Sequence, residues 1–584
     1  MMASPTVSLL TFYVPRLTHT QYEIRNSMPR LLLSLFAGAL VFALPVHAQS
    51  PGAANGDPGV LVLAPDRGFL GNEKTRDVVD DVREHADNVG LAFATVEETE
   101  SNLDEALSRV NTEHGVVVLP LFLSAHHALY QTAQDAMPAV DGGVTWADPF
   151  GASYLSEELL FDRVAALSEQ PDDEALVVVG YGATDRAGAD SVRADLQASA
   201  ERAAEKHGLA GSGEVVVQFT RTAPEKASRA AIGQATQTVK AAAGEHERVL
   251  VVPYNLGMEY TTMMSSWSWM KRPLQSIDDV VASGEGVLPH PNVERWLRRT
   301  TTAHRPLSPE EVGVIAVPHG SEYNWNETMR EGLAPLTDDY RIAEAFSMVD
   351  PVVVKRAVRD LEADGYKAAV MVRIFSMRSN FQEKSHYILG LQETFGTSIM
   401  GVSFPKRIRT HLQMTTLGGL EASPYFAKGL LDRAQAISEN PSEETVLLLA
   451  HGTGSDAKNA RWMDNLRTIA DTMRAHGGDA FRDIKVHTWR EDWPEKRKET
   501  IPEIQQMVRE ASENGTALVV PARTTSQGRA SEYLEGLDYR YGKGLAPHPQ
   551  FEAWMREQIE TGIDRLQAAP QTPDPATTTA GDAQ

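Results

Sequence analysis

Two stretches of this chain are near-copies of one another, displaced by 270 residues without a gap. Asp162-Arg163 through Ser168-Glu169, Pro171 and Glu174 to Gly182 matches Asp432-Arg433 through Ser438-Glu439, Pro441 and Glu444 to Gly452, with eight of 21 positions identical. A second pair lies near the ends of the same segments. Gly284, Gly286, Pro289-His290-Pro291, Glu294 and Trp296 are matched by Gly542, Gly544, Pro547-His548-Pro549, Glu552 and Trp554. A repeat this long makes each copy one structural module and requires the copies to share a plan.

Each module divides again. Four apolar runs open four halves: Val60–Ala64, Leu176–Gly180, Val312–Val317 and Val446–Ala450. Short continuous runs of this kind suit strands buried on both faces of a parallel sheet. Helical spacing follows, as in Ser191 to Lys206 and Asn459 to Arg474. A second strand is expected at Leu91–Val96, Glu214–Phe219, Arg341–Met348 and Ile484–Trp489, and a third at Val116–Leu123, Val249–Tyr254, Ala368–Phe375 and Ala517–Ala522. The expected fold class is α/β: tandem modules, each of two half-domains with a parallel β-sheet flanked by helices. The halves are expected at 58–165, 172–302, 311–435 and 442–567.

Composition narrows the chemistry. The chain has no cysteine, so disulfides, thiolate metal sites and cysteine nucleophiles are excluded. Any metal must be held by His, carboxylate, Met or backbone oxygen. The net charge of −24 argues against nucleic acid as a partner. Arg30, the apolar run Leu31 to Val46 and the small-x-small triplet Val46-His47-Ala48 read as a signal peptide over 28–48, starting at Met28. The run is short for a membrane span. Removing residues 1–48 takes away three Arg and one Glu, leaves about −26, and predicts a periplasmic or secreted protein with no stable membrane insertion. Residues 571–584 read as a disordered tail.

In parallel sheets ligands bind beyond the carboxyl ends of the strands. After strand one the halves read Asp66-Arg67-Gly68, Tyr181-Gly182, His319-Gly320-Ser321 and His451-Gly452-Thr453; after strand three they read His126-His127, Met258-Glu259, Met377-Arg378-Ser379 and Arg523-Thr524-Thr525-Ser526. The ordered set resembles the class II chelatases, most of all the sirohydrochlorin cobaltochelatases of the CbiX and CbiK kind, here duplicated. It comprises His-Gly-Ser or His-Gly-Thr after strand one, a His after strand three and a late Pro-His-Pro. The resemblance covers roughly residues 58–565.

The resemblance implies insertion of a divalent metal substrate (Co²⁺, or Fe²⁺ or Ni²⁺) into a tetrapyrrole, without a nucleotide. It implies metal ligation by His126, His127, His319 and His451 with Glu491 assisting, and makes His319 and His451 the catalytic pair. Imidazole suits such metals at neutral pH, and imidazole or carboxylate can take the departing pyrrole protons. Arg373, Arg378 and Arg523, with Thr524 and Ser526, are candidates for gripping the macrocycle's carboxylates, surface arginine being the plainer reading. No half keeps both His residues. His386 falls inside a helix, and His290 and His548 read as structural helix starts. Met258, Met263 and Met264 form a soft-metal or haem patch or simply core, and Trp267, Trp269 and Trp296 read as core. Because sirohaem and corrin synthesis are usually cytoplasmic, an exported copy also fits a non-catalytic metal or haem carrier. A bilobed solute-binding protein shares the α/β plan.

Overall fold

The computed structural model describes residues 56–257, 274, 277–396, 404–526 and 528–568. It is α/β throughout. Half 1 holds β1 (Gly59–Pro65), β2 (Val89–Ala94), β3 (Val116–Pro120) and β4 (Val144–Trp146). Half 2 holds β5 (Glu174–Ala183), β6 (Gly213–Phe219), β7 (Arg248–Pro253) and β8 (Val280–Ala282). Half 3 holds β9 (Val312–Pro318), β10 (Ile342–Glu344), β11 (Ala368–Ile374) and β12 (Gln413–Gly418). Half 4 holds β13 (Glu444–Ala450), β14 (Asp483–Thr488), β15 (Thr516–Pro521) and β16 (Arg540–Tyr541). In every half the first strand lies between the second and third, and the fourth flanks the third. All pairings are parallel.

The first and third strands of each half come where the sequence places them, and every residue of β1, β3, β9, β11 and β13 is buried. Of the second strands β6 and β14 fall within a residue of expectation and β2 begins two residues earlier, whereas β10 is shorter, since Arg341 and Ala345 to Met348 lie outside the ladder. The fourth strands are additional. With β4 and β8 only three residues long and β16 only two, they carry too little pattern to announce themselves.

Within a module the halves exchange their last helices. Tyr154–Ala165, which ends half 1, packs on helix Arg186–His207 and on β7 of half 2, while Pro291–Ala303, which ends half 2, packs on helix Gly68–Arg83 and on β3 of half 1. In the second module Pro424–Gln435 packs on helix Asp456–Ala475 and β15, and Pro549–Gln567 packs on β11 and β12. Each module therefore has one inner core shared by both halves. Leu159, Trp296, Leu196 and Val252 meet in the first, and Leu430, Trp554, Val370 and Leu466 in the second. Each half keeps a smaller outer core of its own.

The repeated residues turn out to be the fasteners of this exchange. Arg163 donates to the Gly286 and Pro289 carbonyls, and Arg433 to those of Gly544 and Pro547. His290 and His548 are N-caps: each Nδ1 accepts a backbone N–H two residues on, at 3.2 and 3.1 Å, while Nε2 faces Asp162 and Asp432. Glu174 and Glu444, both buried, each accept from a Ser hydroxyl and two backbone N–H groups in the preceding turn. Buried carboxylates need that many donors.

The modules meet through charge. Half 3 runs from 389 to 412 between its helix Gln382–Ile388 and β12, where half 1 runs only from 136 to 143. The longer connection carries Arg407, whose side chain is 1% exposed and pairs with Glu157, and Arg409, which pairs with Glu158 and Asp162. Glu157 is shared with Arg202 and Glu158 with Lys206. Tyr154 donates its hydroxyl to the Ile408 carbonyl at 2.9 Å. Among the described residues no helix is long and apolar enough to cross a membrane.

Candidate functional site

Register sets which loop residues correspond. Pro120 lies opposite Leu63, Pro253 opposite Val179 and Pro521 opposite Leu449, so Pro65, Tyr181 and His451 hold one position in their halves. His319 holds it in half 3, where Gly320 (φ 77°) repeats the turn of Gly452 (φ 76°). A side chain at 452 would press on Thr488 Cβ at 2.8 Å and on the Arg490 nitrogen at 3.0 Å, so the His-Gly pair combines tight approach with a left-handed turn. Asn326 and Asn459 fasten these loops by accepting the N–H of Ser321 (2.9 Å) and Thr453 (3.2 Å), and Asn72 does so for Arg67 (2.9 Å). The asparagines recur after the turn in halves 1, 3 and 4, a signal that sequence reading missed.

The two imidazoles are held alike. His319 Nδ1–H donates to the Gly320 carbonyl at 2.8 Å and His451 Nδ1–H to that of Gly452 at 2.9 Å. A carbonyl can only accept, so Nδ1 carries the proton in both rings, which makes Nε2 the nitrogen that could face a metal. His319 is exposed, beside Trp325 and Phe375. His451 is set between Trp462 and Trp493, with Nε2 3.2 Å from the Asp492 carboxylate.

Glu491 is buried and donates its N–H to the His451 carbonyl. Its carboxylate pairs with the Arg523 guanidinium. Burial pushes Glu491 up, but Arg523, with smaller help from His451, outweighs that and holds it below the usual carboxylate range. Thr524 accepts the Ala546 N–H through its carbonyl, and Ser526 accepts the Gly544 N–H through its hydroxyl, so both tie this loop to the approach of the last helix. Arg373 is buried and donates to the carbonyls of Arg378 and Asn380 at 2.6 and 2.9 Å. Burial, with Arg378 nearby, pushes it down to about 10. It supports a loop. Arg378 itself lines a cavity of about 530 Å³ between halves 3 and 4, with Glu421, Ser423, Asn465, Trp554 and Glu557.

No family model, no curated protein and no solved structure matches this chain. Asp195 and Asn465, related by the offset of 270, both reach from half to half. Asp195 takes the Ser124 hydroxyl and His126 Nδ1–H (2.9 Å); Asn465 donates to Glu421 and to Met377 Sδ. His126 is thus carboxylate-backed with Nε2 turned away. His127 is different. It is 4% exposed, its Nδ1 accepts the Leu129 N–H at 3.2 Å to cap helix Ala128–Asp135, and its Nε2 is buried without a hydrogen-bond partner. Burial, and then Arg67, push it down to about 3. With Nδ1 used by the cap and Nε2 protonated, this histidine has no lone pair to offer.

Among the described residues, no three His, Asp or Glu gather as a metal-holding group, and neither His319 nor His451 lines the cavity beside Arg378. His386 lies on its short helix as expected. Trp296 is core. Met258, Glu259, Met263, Met264, Trp267 and Trp269 lie outside the described residues, as do the expected signal peptide and tail.

Proposed function

We propose that this is an exported, chelatase-like protein that brings a divalent metal, Co²⁺ or Fe²⁺, to a tetrapyrrole without a nucleotide, and that the second module does the work. The observation that carries this is the matched pair His319 and His451, each donating Nδ1–H to the carbonyl of the following glycine, so that Nε2 is the nitrogen left to meet a metal, in His451 alongside the Asp492 carboxylate. A neutral imidazole binds such metals with moderate strength. Two separate imidazoles with open coordination positions suit a metal that must be handed on. Asp492 beside His451 is placed to receive a proton as the metal enters. Arg378, at the edge of the cavity between the halves, suits the carboxylates on the rim of such a macrocycle. Arg523 contributes less, since Glu491 already neutralises it.

A second reading is favoured by one observation: the 530 Å³ cavity is lined by Arg378 and Asn465 and by neither imidazole. A protein that carries an anionic tetrapyrrole there would need no metal transfer. One experiment separates the two. The protein without residues 1–48 is mixed with sirohydrochlorin and Co²⁺ and followed by absorbance, beside His319→Ala and His451→Ala. Conversion above the uncatalysed rate that falls in both variants supports insertion. A binding shift without conversion supports the carrier. No spectral change in any mixture removes both.

A further inference from the structure

In the first module a side chain of half 1 reaches across to half 2. Pro65 and Tyr181 hold the positions that His319 and His451 hold in the second module, and two residues beyond Pro65 stands Arg67. Its guanidinium carbon lies 3.6 Å from the centroid of the Tyr181 ring. Its Nε–H donates to the Leu256 carbonyl, and a terminal N–H reaches Asn255 Oδ1 at 3.3 Å. All three partners belong to half 2, whereas Arg67 belongs to half 1. A planar cation with its face on an aromatic ring and its edge on oxygens is held in the way guanidinium is best held.

The walls of this site are rigid. Tyr181 packs on the buried His127, and a side chain at Gly182 would come within 2.2 Å of the His127 ring. Asn255 and Tyr254 are buried. On the other side, Asp66 Oδ1 accepts from the Gly68 N–H and the Asn72 amide and so fixes the loop. From this loop the Arg67 side chain crosses to half 2. In the second module the same loop position, marked by its N–H to asparagine, carries Ser321 and Thr453, which are too short to cross.

We propose that Tyr181, Asn255 and the Leu256 carbonyl form a recognition site for a guanidinium cation, occupied by the chain's own Arg67, which shuts the first module's cleft against outside ligands. Shortening Arg67 turns it into an open site for a small alkylguanidinium. The corollary that each chain handles one tetrapyrrole rather than two rests on the functional reading above; the site itself does not.

The test uses the full mature chain carrying Arg67→Ala. Its melting temperature is followed against methylguanidinium chloride, with sodium chloride and urea as controls. The expected result is a lowered melting temperature that recovers saturably, with half-effect on the order of millimolar for so small a ligand, while the unaltered protein does not respond. Adding Tyr181→Leu to Arg67→Ala should abolish the recovery. A folded Arg67→Ala protein with no response beyond that to salt overturns the proposal. Should that variant fail to fold, the unaltered protein decides. Phenylglyoxal modification mapped by mass spectrometry should leave Arg67 far behind Arg109, whose side chain is 72% exposed, and equal rates overturn the proposal. Neither readout uses a metal or a tetrapyrrole, so failure here leaves the chelatase reading standing, and the reverse.

Discussion

Replacing Arg407 by methionine tests whether the modules are bound by charge or by shape. Arg407 is 1% exposed, and its partner Glu157 5%. Removing one member of a buried pair strands the other and costs roughly 3–5 kcal/mol. Glu157 retains Arg202, which argues for the lower end, about 3 kcal/mol. At about 2.1 cal/mol/K of unfolding entropy per residue, that loss lowers the melting temperature by about 5–6 °C if one module of roughly 260 residues melts alone, and by about half that if both melt together. Differential scanning calorimetry reads both the shift and the number of transitions. The double variant Glu157→Leu/Arg407→Met should recover most of the loss, because apolar replacement of a buried pair is near neutral. A double variant as unstable as the sum of its singles would show that the two charges are not coupled and refute the argument.

Three further outcomes are expected. His127 and His411 are both held at about 3, chiefly by burial, aided by Arg67 and Arg298 respectively. The unfolded chain therefore binds protons there that the fold refuses, so stability is intact above the ordinary histidine value and drops as pH falls toward about 3. His411→Leu should lessen that drop in urea titrations across this range. Glu444 is lowered overall because its three donors and Arg540 outweigh burial. Its contribution is present above the ordinary glutamate value and lost as pH falls through the lowered one, and Glu444→Gln should remove part of the acid limb of the stability curve. His548→Ala removes an N-cap and should cost about 1 kcal/mol, whereas His548→Asn should retain most of it, as chemical denaturation would show.

The sheets were legible because buried parallel strands are written as unbroken Val and Leu runs, as in β5 and β13. Three of the fourth strands were not, since a two-residue strand such as Arg540–Tyr541 has no period to read, and β12, though six residues long, is written in Gln and Thr rather than in an unbroken apolar run. Of the candidate site, the loops were found but their interiors were not. Nothing in His126-His127 distinguishes a carboxylate-backed imidazole from a buried cap; only the Asp195 contact, 69 residues away, separates them. The register likewise moved the residue that matches His451 from Asp66-Arg67 to Pro65, because a strand end is fixed by its neighbours' hydrogen bonds rather than by letter similarity. The charges that join the modules could not be paired from sequence, since Glu157 and Arg407 lie 250 positions apart.

The exchange of terminal helices has a consequence for how such a chain can be cut. A fragment ending before Pro291 would leave β3 and helix Gly68–Arg83 without their cover, and a fragment beginning at Glu174 would lack the helix that seals β7. No single half can be expressed as a tidy piece, and any ancestral unit that was copied must already have been a couple or have met its twin as a separate molecule. The smallest length of this chain that covers its own sheets is therefore the pair of halves, and the stretch between Ala303 and Val312 is the seam at which one pair ends and the next begins.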